Sequence, residues 1–410
     1  MDKSRVKTSV EKERIKLLVV CGSLGVGGAE MQLAKFLPRL NRDIFEVHVA
    51  AYRSNAAGFP KEMIAKSGLP VVLLGGDSWS RRRYFADAIS YMKKESFDVV
   101  HAWLSSGNHY GLIPAILTGV PVVLGGMRGR MGMEPPWPLV YSLLNIRYDG
   151  WIVNSRMLKE FLEKKLFFMK DTPVRTIRNG LEIDDDEPRF RRQEKTCFDS
   201  LRGKRPVVGI VGRFHPVKNH LLFIEMAHYL VRNHVDADFW IIGEGNMRQA
   251  IEDAIADYGL QDRVKLLGLR RDVDTALARM DVAVVTSNSE SCPNALLEAM
   301  RAGLPVVSTN CTTLEDIIEE GKNGFVVAVG DAEGLAKKVA AILHNPQLAR
   351  NMGDRSRQII EERFSIAAAL RELEQAYLYF TDRAARRRPS LRRKLERISG
   401  IKSAVEMSLS

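Results

Sequence analysis

Two carboxylates, Glu290 and Glu298, stand with seven residues between them in the stretch SNSESCPNALLEAMRAGLPVV, Ser287 to Val307. The β-branched run just ahead, DVAVVT from Asp281 to Thr286, has the composition of a buried parallel strand. Turn and capping types from Ser287 to Pro293 end it, Asn294 can cap, and Ala295 to Ala302 are strong helix formers closed by Gly303. Glu290 is therefore expected on the loop and Glu298 about one turn into the helix. In doubly wound sheets ligands bind beyond the carboxyl ends of the strands. Both acids are expected at that edge, where acceptor-only carboxylates suit the paired hydroxyls of a ribose or hexose. Two glutamates alone leave open the alternative of ordinary surface residues.

A second constellation lies upstream. Pro206 to Val211 reads as a strand, PVVGIV, and is followed by GRFHPVKNH and the apolar-periodic helix LLFIEMAHYLV. Gly212 is expected to let the backbone turn tightly, the helix start carries positive partial charge, and Arg213 and Lys218 add two full cations. A diphosphate needs that neutralisation. Arg supplies a planar donor fork and Lys a compact point charge, so the pair suits the charge that grows on a departing diphosphate. His215 and His220 flank Lys218 and are read as loop and helix residues.

Near the start, Gly22, Gly25, Gly27 and Gly28 follow the first apolar run and precede a helix from Ala29, a pattern able to offer backbone amides to a phosphate or a sugar. A dinucleotide fingerprint needs different glycine spacing and an acid after the second strand, and Val47 to Tyr52 ends in Arg53, so NAD is disfavoured. His101 closes the run DVVH, which places it at a strand's carboxyl end.

In order, the chain carries GSLGVGGAE, VNS at 153–155, RNGLE at 178–182, VGRFHPVKN, IIGEGN at 241–246 and the glutamate motif. This series, spread over Ile15 to Phe380, resembles the retaining GT-B glycosyltransferases of glycosyltransferase family 4. The resemblance implies two Rossmann-like parallel-sheet domains facing a central cleft, with the active site between the lobes and a last helix, within Ser365 to Phe380, crossing back to the first domain. It implies transfer of a hexose or related sugar from a UDP- or GDP-sugar to an acceptor hydroxyl with retention at the anomeric carbon. No carboxylate is well placed in sequence as a nucleophile, so the implied path is a front-face displacement in which the leaving phosphate helps deprotonate the acceptor. Arg213 and Lys218 would neutralise the diphosphate, Glu298 would hold ribose hydroxyls and Glu290 would orient the sugar. Gly212 and the amides at Asn294 and Ala295 would reach phosphate, and the loop of Gly27 and Gly28 would lie over the donor phosphates beside the acceptor. Glu30 is either a dipole partner in the first helical turn or an acceptor contact. Many family members carry a second histidine two positions after the one at His101, to contact the transferred sugar. Trp103 stands there instead, which leaves His101 or His109 as substitutes.

The elements that must position these residues follow from the apolar pattern. IKLLVVC, VHVAAY, PVVLLG, DVVHAW, PVVLGG and GWIVNS, then PVVGIVG, DFWIIG, VKLLG, DVAVVT and PVVST, alternate with helical segments. That rhythm predicts two parallel sheets covered by helices, and 410 residues exceed what one core usually holds. The expected division is an acceptor-binding domain over 1–180, with 365–380 packing back on it, a charged linker over 181–205, a nucleotide-sugar domain over 206–364 and a basic tail over 383–410.

Composition narrows the setting. Cys21, Cys197, Cys292 and Cys311 have neither metal-ligand nor redox spacing, which fits a reducing cytoplasm; Cys292 reads as a small buried filler. Met1 to Lys16 is charged and lacks the apolar core of a signal peptide, and the uncharged Ala102 to Met127 is broken by glycines, prolines and Asn108 into helix, turn and strand. Asp184 to Asp186, Asp236 with Asp238, and Asp272 with Asp274 are acid pairs, but none follows a strand, so metal-independent transfer without a cofactor is expected.

The net charge is +11, and between Arg383 and Arg397 stand eight basic residues and one acidic one. Leu391, Leu395 and Ile398 fall at i, i+4 and i+7, so RRRPSLRRKLERI is expected to form a short helix with one apolar edge. Such a helix would hold the protein peripherally on the inner membrane face, near a lipid-linked saccharide acceptor for surface polysaccharide or lipopolysaccharide. A solvated tail is the alternative. A nucleic-acid partner is disfavoured because aromatics for base stacking are absent. A nucleotide-sugar epimerase or hydrolase of the same fold, and a noncatalytic nucleotide-sugar-binding partner of a glycan assembly complex, remain as rival functions.

Overall fold

All eleven apolar runs become strands of two all-parallel sheets. The computed structural model describes residues 13–25, 27–52, 59–75, 80–129, 137–166, 172–183, 196–312, 314 and 317–398. The first sheet contains β1 (Ile15–Cys21), β2 (Phe45–Ala51), β3 (Val71–Leu73), β4 (Val99–Ala102), β5 (Val122–Met127), β6 (Gly150–Val153) and β7 (Val174–Thr176), in the order β3-β2-β1-β4-β5-β6-β7. The second contains β8 (Val207–Val211), β9 (Asp238–Ile242), β10 (Val264–Gly268), β11 (Val282–Val285), β12 (Val306–Thr309) and β13 (Gly324–Val327), in the order β10-β9-β8-β11-β12-β13.

Two strands escaped the sequence pattern, and both lie at sheet edges. β7 is VRT, with a charged residue at its centre, and β13 is GFVV, opened by a glycine. An edge strand is covered on fewer sides, so it need not be a continuous apolar run.

The chain divides into two compact units, one formed by residues up to Arg178 together with those from Ala369 onward, the other by Asn179–Ala368. In the first, the buried central strands pack beneath Tyr84, Tyr141 and Trp151. Tyr377 of the helix Ile366–Ala385 is fully buried and meets Phe45 edge-on at 5.9 Å. Phe380 of that helix needs a glycine opposite it, since a Cβ at Gly150 would sit 2.1 Å from its ring. In the second unit, Asp281 fastens two strand starts by accepting from the Val207 amide at 2.8 Å and from Arg202 at 3.0 Å. The segment read as a linker holds a helix over Cys197–Leu201 and a bridge from Leu181 to Ser365, both inside this unit.

The basic tail requires a correction. A helix forms over Pro389–Arg397, but its apolar edge is spent internally: Leu391 and Ile398 are 3% and 4% exposed and Leu395 is half-buried. Lys394 pins the helix to Asp98 at 2.6 Å and Arg397 pairs with Glu13 at 3.1 Å. An edge buried against its own unit is not available for insertion into lipid. Among the described residues no helix is long and apolar enough to cross a membrane.

Candidate functional site

Each sheet reverses its strand order once, and several of the singled-out residues follow the strands at those reversals. In the second unit the reversal falls between β8 and β11, which pair in parallel; such a switch point opens at the carboxyl edge. Lys218 follows β8, Glu290 follows β11, and their side chains form a direct ion pair. Ser287 Oγ donates to the same Glu290 oxygen at 2.8 Å. Lys218, Thr286, Ser287, Glu290, Pro293 and Ala295 line one small cleft with Ile210, Val211 and Val285.

The loops that carry the pair are tied to each other. Thr286, at the end of β11, donates through Oγ1 to the carbonyls of Lys218 and Asn219, both at 2.9 Å. Asn288 donates its amide to the Val217 carbonyl at 2.8 Å, and the Glu290 amide reaches the Cys311 carbonyl at 2.9 Å. A side chain held from both ends of its loop loses little further freedom on binding a ligand.

Three local expectations change. Gly212 is not the glycine that the turn demands, because a Cβ there would meet nothing nearer than 3.7 Å. Gly243, at φ 153°, is that glycine, since its Cβ would fall 1.9 Å from the Gly212 carbonyl oxygen. The helix after Lys218 is His220–Arg232, already capped by Asn219, whose Oδ1 accepts from the Leu222 amide at 3.4 Å. Lys218 itself closes a short 3-10 turn over Pro216–Lys218, with the His215 ring accepting from the Val217 amide. The helix carrying Glu298 is Asn294–Arg301 with Pro293 at the cap, so Asn294 is its first residue. Asn294 Oδ1 accepts from Asn179 Nδ2 at 2.6 Å, and Asn179 also reaches the Cys292 carbonyl at 3.3 Å.

Glu298 is half-buried one turn into that helix. Arg213 is exposed and forms no ion pair among the described residues, so its charge is uncompensated while that of Lys218 is met by Glu290. Cys292 is buried. Asp236 is engaged by Arg205 and Arg263, both at 2.7 Å, Asp272 by Arg270 and Asp274 by Arg301, both at 2.6 Å. Asp184 to Asp186 and Arg53 lie outside the described residues.

In the first unit the strand order reverses between β1 and β4. The helix Gly28–Phe36 follows β1 with Gly27 at its cap. Glu30 folds back over that cap, because a Cβ on Gly27 would lie 2.2 Å from its Oε2; this is the geometry of a carboxylate on a helix dipole. Gly28 is exposed.

His101 departs from its expected role. It is 1% exposed, its Nδ1 lies 2.8 Å from the Tyr377 hydroxyl, and it meets Trp103 and Tyr377 edge-on. Burial, with the Arg128 guanidinium nearby, holds its pKa down to about 3. A neutral ring enclosed in this way fixes the C-terminal helix and presents no face to a substrate. His109 is half-buried and stacks on Tyr141 at 5.4 Å, with burial lowering its pKa to about 4. Trp103, at the position of the expected second histidine, is fully buried and donates Nε1 to the Ala29 carbonyl at 2.8 Å. The Arg128 guanidinium lies 3.6 Å above its ring, so a cation sits at the carboxyl end of β5. Two residues that the sequence pattern did not single out, Asn179 and Arg128, contact Asn294 and Trp103. Asn179 lies inside the RNGLE motif, and Arg128 directly follows a strand-like run.

A pH dependence follows from the buried rings. His101 is held near 3, and His220, buried beside Lys218, near 4, while an unfolded histidine titrates near 6.5. Between those values the unfolded chain takes up a proton that the native state refuses, so stability is full above about pH 6.5 and falls as pH drops through the window. At pH 5 the loss approaches about 2 kcal/mol for each buried ring. Thermal unfolding at pH 7.5 and pH 5 checks this, and an unchanged midpoint would contradict the neutral assignment.

Two all-parallel α/β sheets with helices between their strands make an architecture of the GT-B kind, and the comparisons agree. The family model for glycosyl transferases group 1 matches residues 192–359, and that for Glycosyltransferase Family 4 matches residues 26–185. The UDP-Gal:alpha-D-GlcNAc-diphosphoundecaprenol alpha-1,3-galactosyltransferase of Escherichia coli is 28% identical over 298 residues, covering 70% of this chain and 76% of that one. The N-acetyl-alpha-D-glucosaminyl L-malate synthase of Bacillus anthracis is 30% identical over 50% of this chain and 54% of its own. Among solved structures, Anabaena HepE in complex with UDP and glucose superimposes with a TM-score of 0.75 at 20% identity, covering 89% of this chain and 99% of that one. The chain belongs to glycosyltransferase family 4 and is a glycosyl-transferring enzyme of EC 2.4 type with the GT-B fold.

Proposed function

We propose that the enzyme moves a sugar from a UDP- or GDP-sugar to a hydroxyl of a lipid-linked saccharide, with retention at the anomeric carbon, in surface polysaccharide or lipopolysaccharide synthesis. The observation that carries the reading is the Lys218–Glu290 pair at the second unit's reversal point, with an exposed Arg213 on the same segment after β8 as Lys218. HepE, described in complex with UDP-glucose, and the Escherichia coli relative, named for a UDP-Gal donor and a diphosphoundecaprenol-linked acceptor, support the choice of donor and acceptor classes.

Arg213 is the first contact of the donor diphosphate, because its charge is unpaired. Lys218 then shifts from Glu290 toward the phosphates, and Glu290, relieved of its cation, accepts from sugar hydroxyls. Amides at Asn294 and Ala295, at the start of the helix, add dipole stabilisation to the departing diphosphate. Glu298 takes the ribose hydroxyls. The leaving phosphate removes the acceptor proton on the same face. In the first unit the loop of Gly27 and Gly28 receives donor phosphate, Glu30 and His109 border the acceptor, and Arg128 supplies a further cation. His101 acts through Tyr377 as a positioning residue.

The test is release of free nucleoside diphosphate by the purified protein from a panel of UDP- and GDP-sugars, with and without extracted membrane lipid. Release from one donor, increased by lipid, is the expected result. Donor consumption unaffected by any acceptor would point to a hydrolase or epimerase, and binding without turnover to a noncatalytic partner.

A further inference from the structure

The helix Trp137–Asn145 has two unlike faces. Tyr141 and Asn145 are buried on one side, where Tyr141 meets Trp151 edge-on at 6.0 Å and Asn145 Oδ1 accepts from Trp151 Nε1 at 2.9 Å. On the other side Leu139 and Leu143, with Ile146 in the turn just past the last helical residue, recur at i, i+4 and i+7 and are 58%, 58% and 66% exposed. Leu117, at the end of the preceding helix Ser105–Leu117, is 66% exposed as well. Single exposed apolar residues are ordinary, but large ones aligned along one helix mark a contact surface.

The basic C-terminal segment borders this stripe. Arg388 donates to the Gly119 carbonyl at 3.0 Å, two residues beyond Leu117. Asp149, three residues beyond Ile146, feels the positive charge of Arg388, Arg387 and Arg383. Arg387 is exposed and forms no ion pair among the described residues. Apolar side chains bordered by arginines in excess over the Asp149 carboxylate match the boundary of an anionic bilayer, where leucines enter the acyl region and guanidinium groups meet headgroup phosphates. A protein partner would need a matching acidic ring, whereas a lipid surface offers negative charge everywhere.

We propose that this face of the first unit, with Leu139, Leu143 and Ile146 as the inserting edge and Arg387 and Arg388 as the charged rim, docks on an anionic membrane surface. The proposal deepens the lipid-linked acceptor reading, on which its purpose rests. It also reassigns the insertion from the edge of Leu391 and Ile398, which is buried, to a different helix.

The experiment is flotation of the full-length protein with vesicles of phosphatidylcholine alone and with about a third phosphatidylglycerol. Binding to the anionic vesicles only, weakened by salt, is expected. Leu143→Glu with Ile146→Glu should lower vesicle affinity at least about tenfold, and Arg387→Ser with Arg388→Ser about 25-fold, at roughly fivefold per charge. The Leu143 and Ile146 pair should leave the thermal midpoint unchanged, the arginine pair should lower it slightly because Arg388 bonds the Gly119 carbonyl, and both should leave donor affinity unchanged. Equal binding by all three proteins would overturn the assignment. So would a dimer in sedimentation that Leu143→Glu with Ile146→Glu dissolves without any vesicle binding, since a second copy would then be the occupant. Donor binding by calorimetry separates the two readings: donor binding without vesicle binding sinks the docking face alone, and vesicle binding without donor binding sinks the transferase assignment alone.

Discussion

Lys218→Ala is expected to lower kcat by about two to three orders of magnitude while changing donor affinity far less, the scale found when one preorganised donor to a developing charge is removed. The ground-state donor already carries its diphosphate charge, and Arg213 with the helix-start amides can hold it. What Lys218 adds is a point charge that strengthens its interaction as the bond to the sugar breaks. The structural complication is Glu290, whose side chain is 14% exposed and would lose its cation, keeping only the Ser287 hydroxyl at 2.8 Å. A buried carboxylate stripped of its partner destabilises the fold. Lys218→Ala with Glu290→Gln, compared with Glu290→Gln alone, separates the two effects, because the double variant should recover the thermal midpoint and still transfer more slowly than the single Glu290→Gln enzyme. Recovery of rate together with stability would make the pair a structural tie, and a full-rate Lys218→Ala enzyme would remove Lys218 from the chemistry.

What could be read from the sequence followed the degree of burial. Central strands such as β1 and β9 are enclosed on both faces, so their side chains are apolar without interruption and the pattern declares them. β7 and β13 at the edges carry Arg175 and Gly324 and declare nothing. The reversal-point rule brought Lys218 and Glu290 to one place, but not to one another. Their direct pairing depends on Thr286 holding the carbonyls of Lys218 and Asn219, a side chain-to-backbone tie between loops 67 and 68 residues apart that leaves no local trace. His101 shows the converse. Its place at a strand end was correctly read, yet the ring is enclosed by Tyr377 from 276 residues away, and only the folded C-terminal helix reveals that. The tail erred for the same reason: the spacing of Leu391 and Ile398 identifies an apolar edge but not what covers it.

Glu298→Ala should raise the donor KM by about 10- to 100-fold, the loss of charge-assisted hydrogen bonds worth roughly 1.5–3 kcal/mol, with kcat changed by no more than about threefold. The ribose is remote from the breaking bond, so contacts to it are the same in the ground and transition states and appear in KM alone. The helix itself should persist. The intrahelical bond at this position runs from the Ala302 amide to the Glu298 carbonyl, which alanine keeps, and alanine is the strongest helix former. The decisive comparison is between products. Affinity for the nucleoside diphosphate should fall by the same factor as for the donor, because both carry the ribose, whereas affinity for pyrophosphate, which has none, should not move. Lys218→Ala and Arg213→Ala should show the reverse pattern and weaken pyrophosphate as much as nucleotide. Equal losses for nucleotide and pyrophosphate in Glu298→Ala would take Glu298 off the ribose and leave it as one more influence on the phosphate end of the helix Asn294–Arg301.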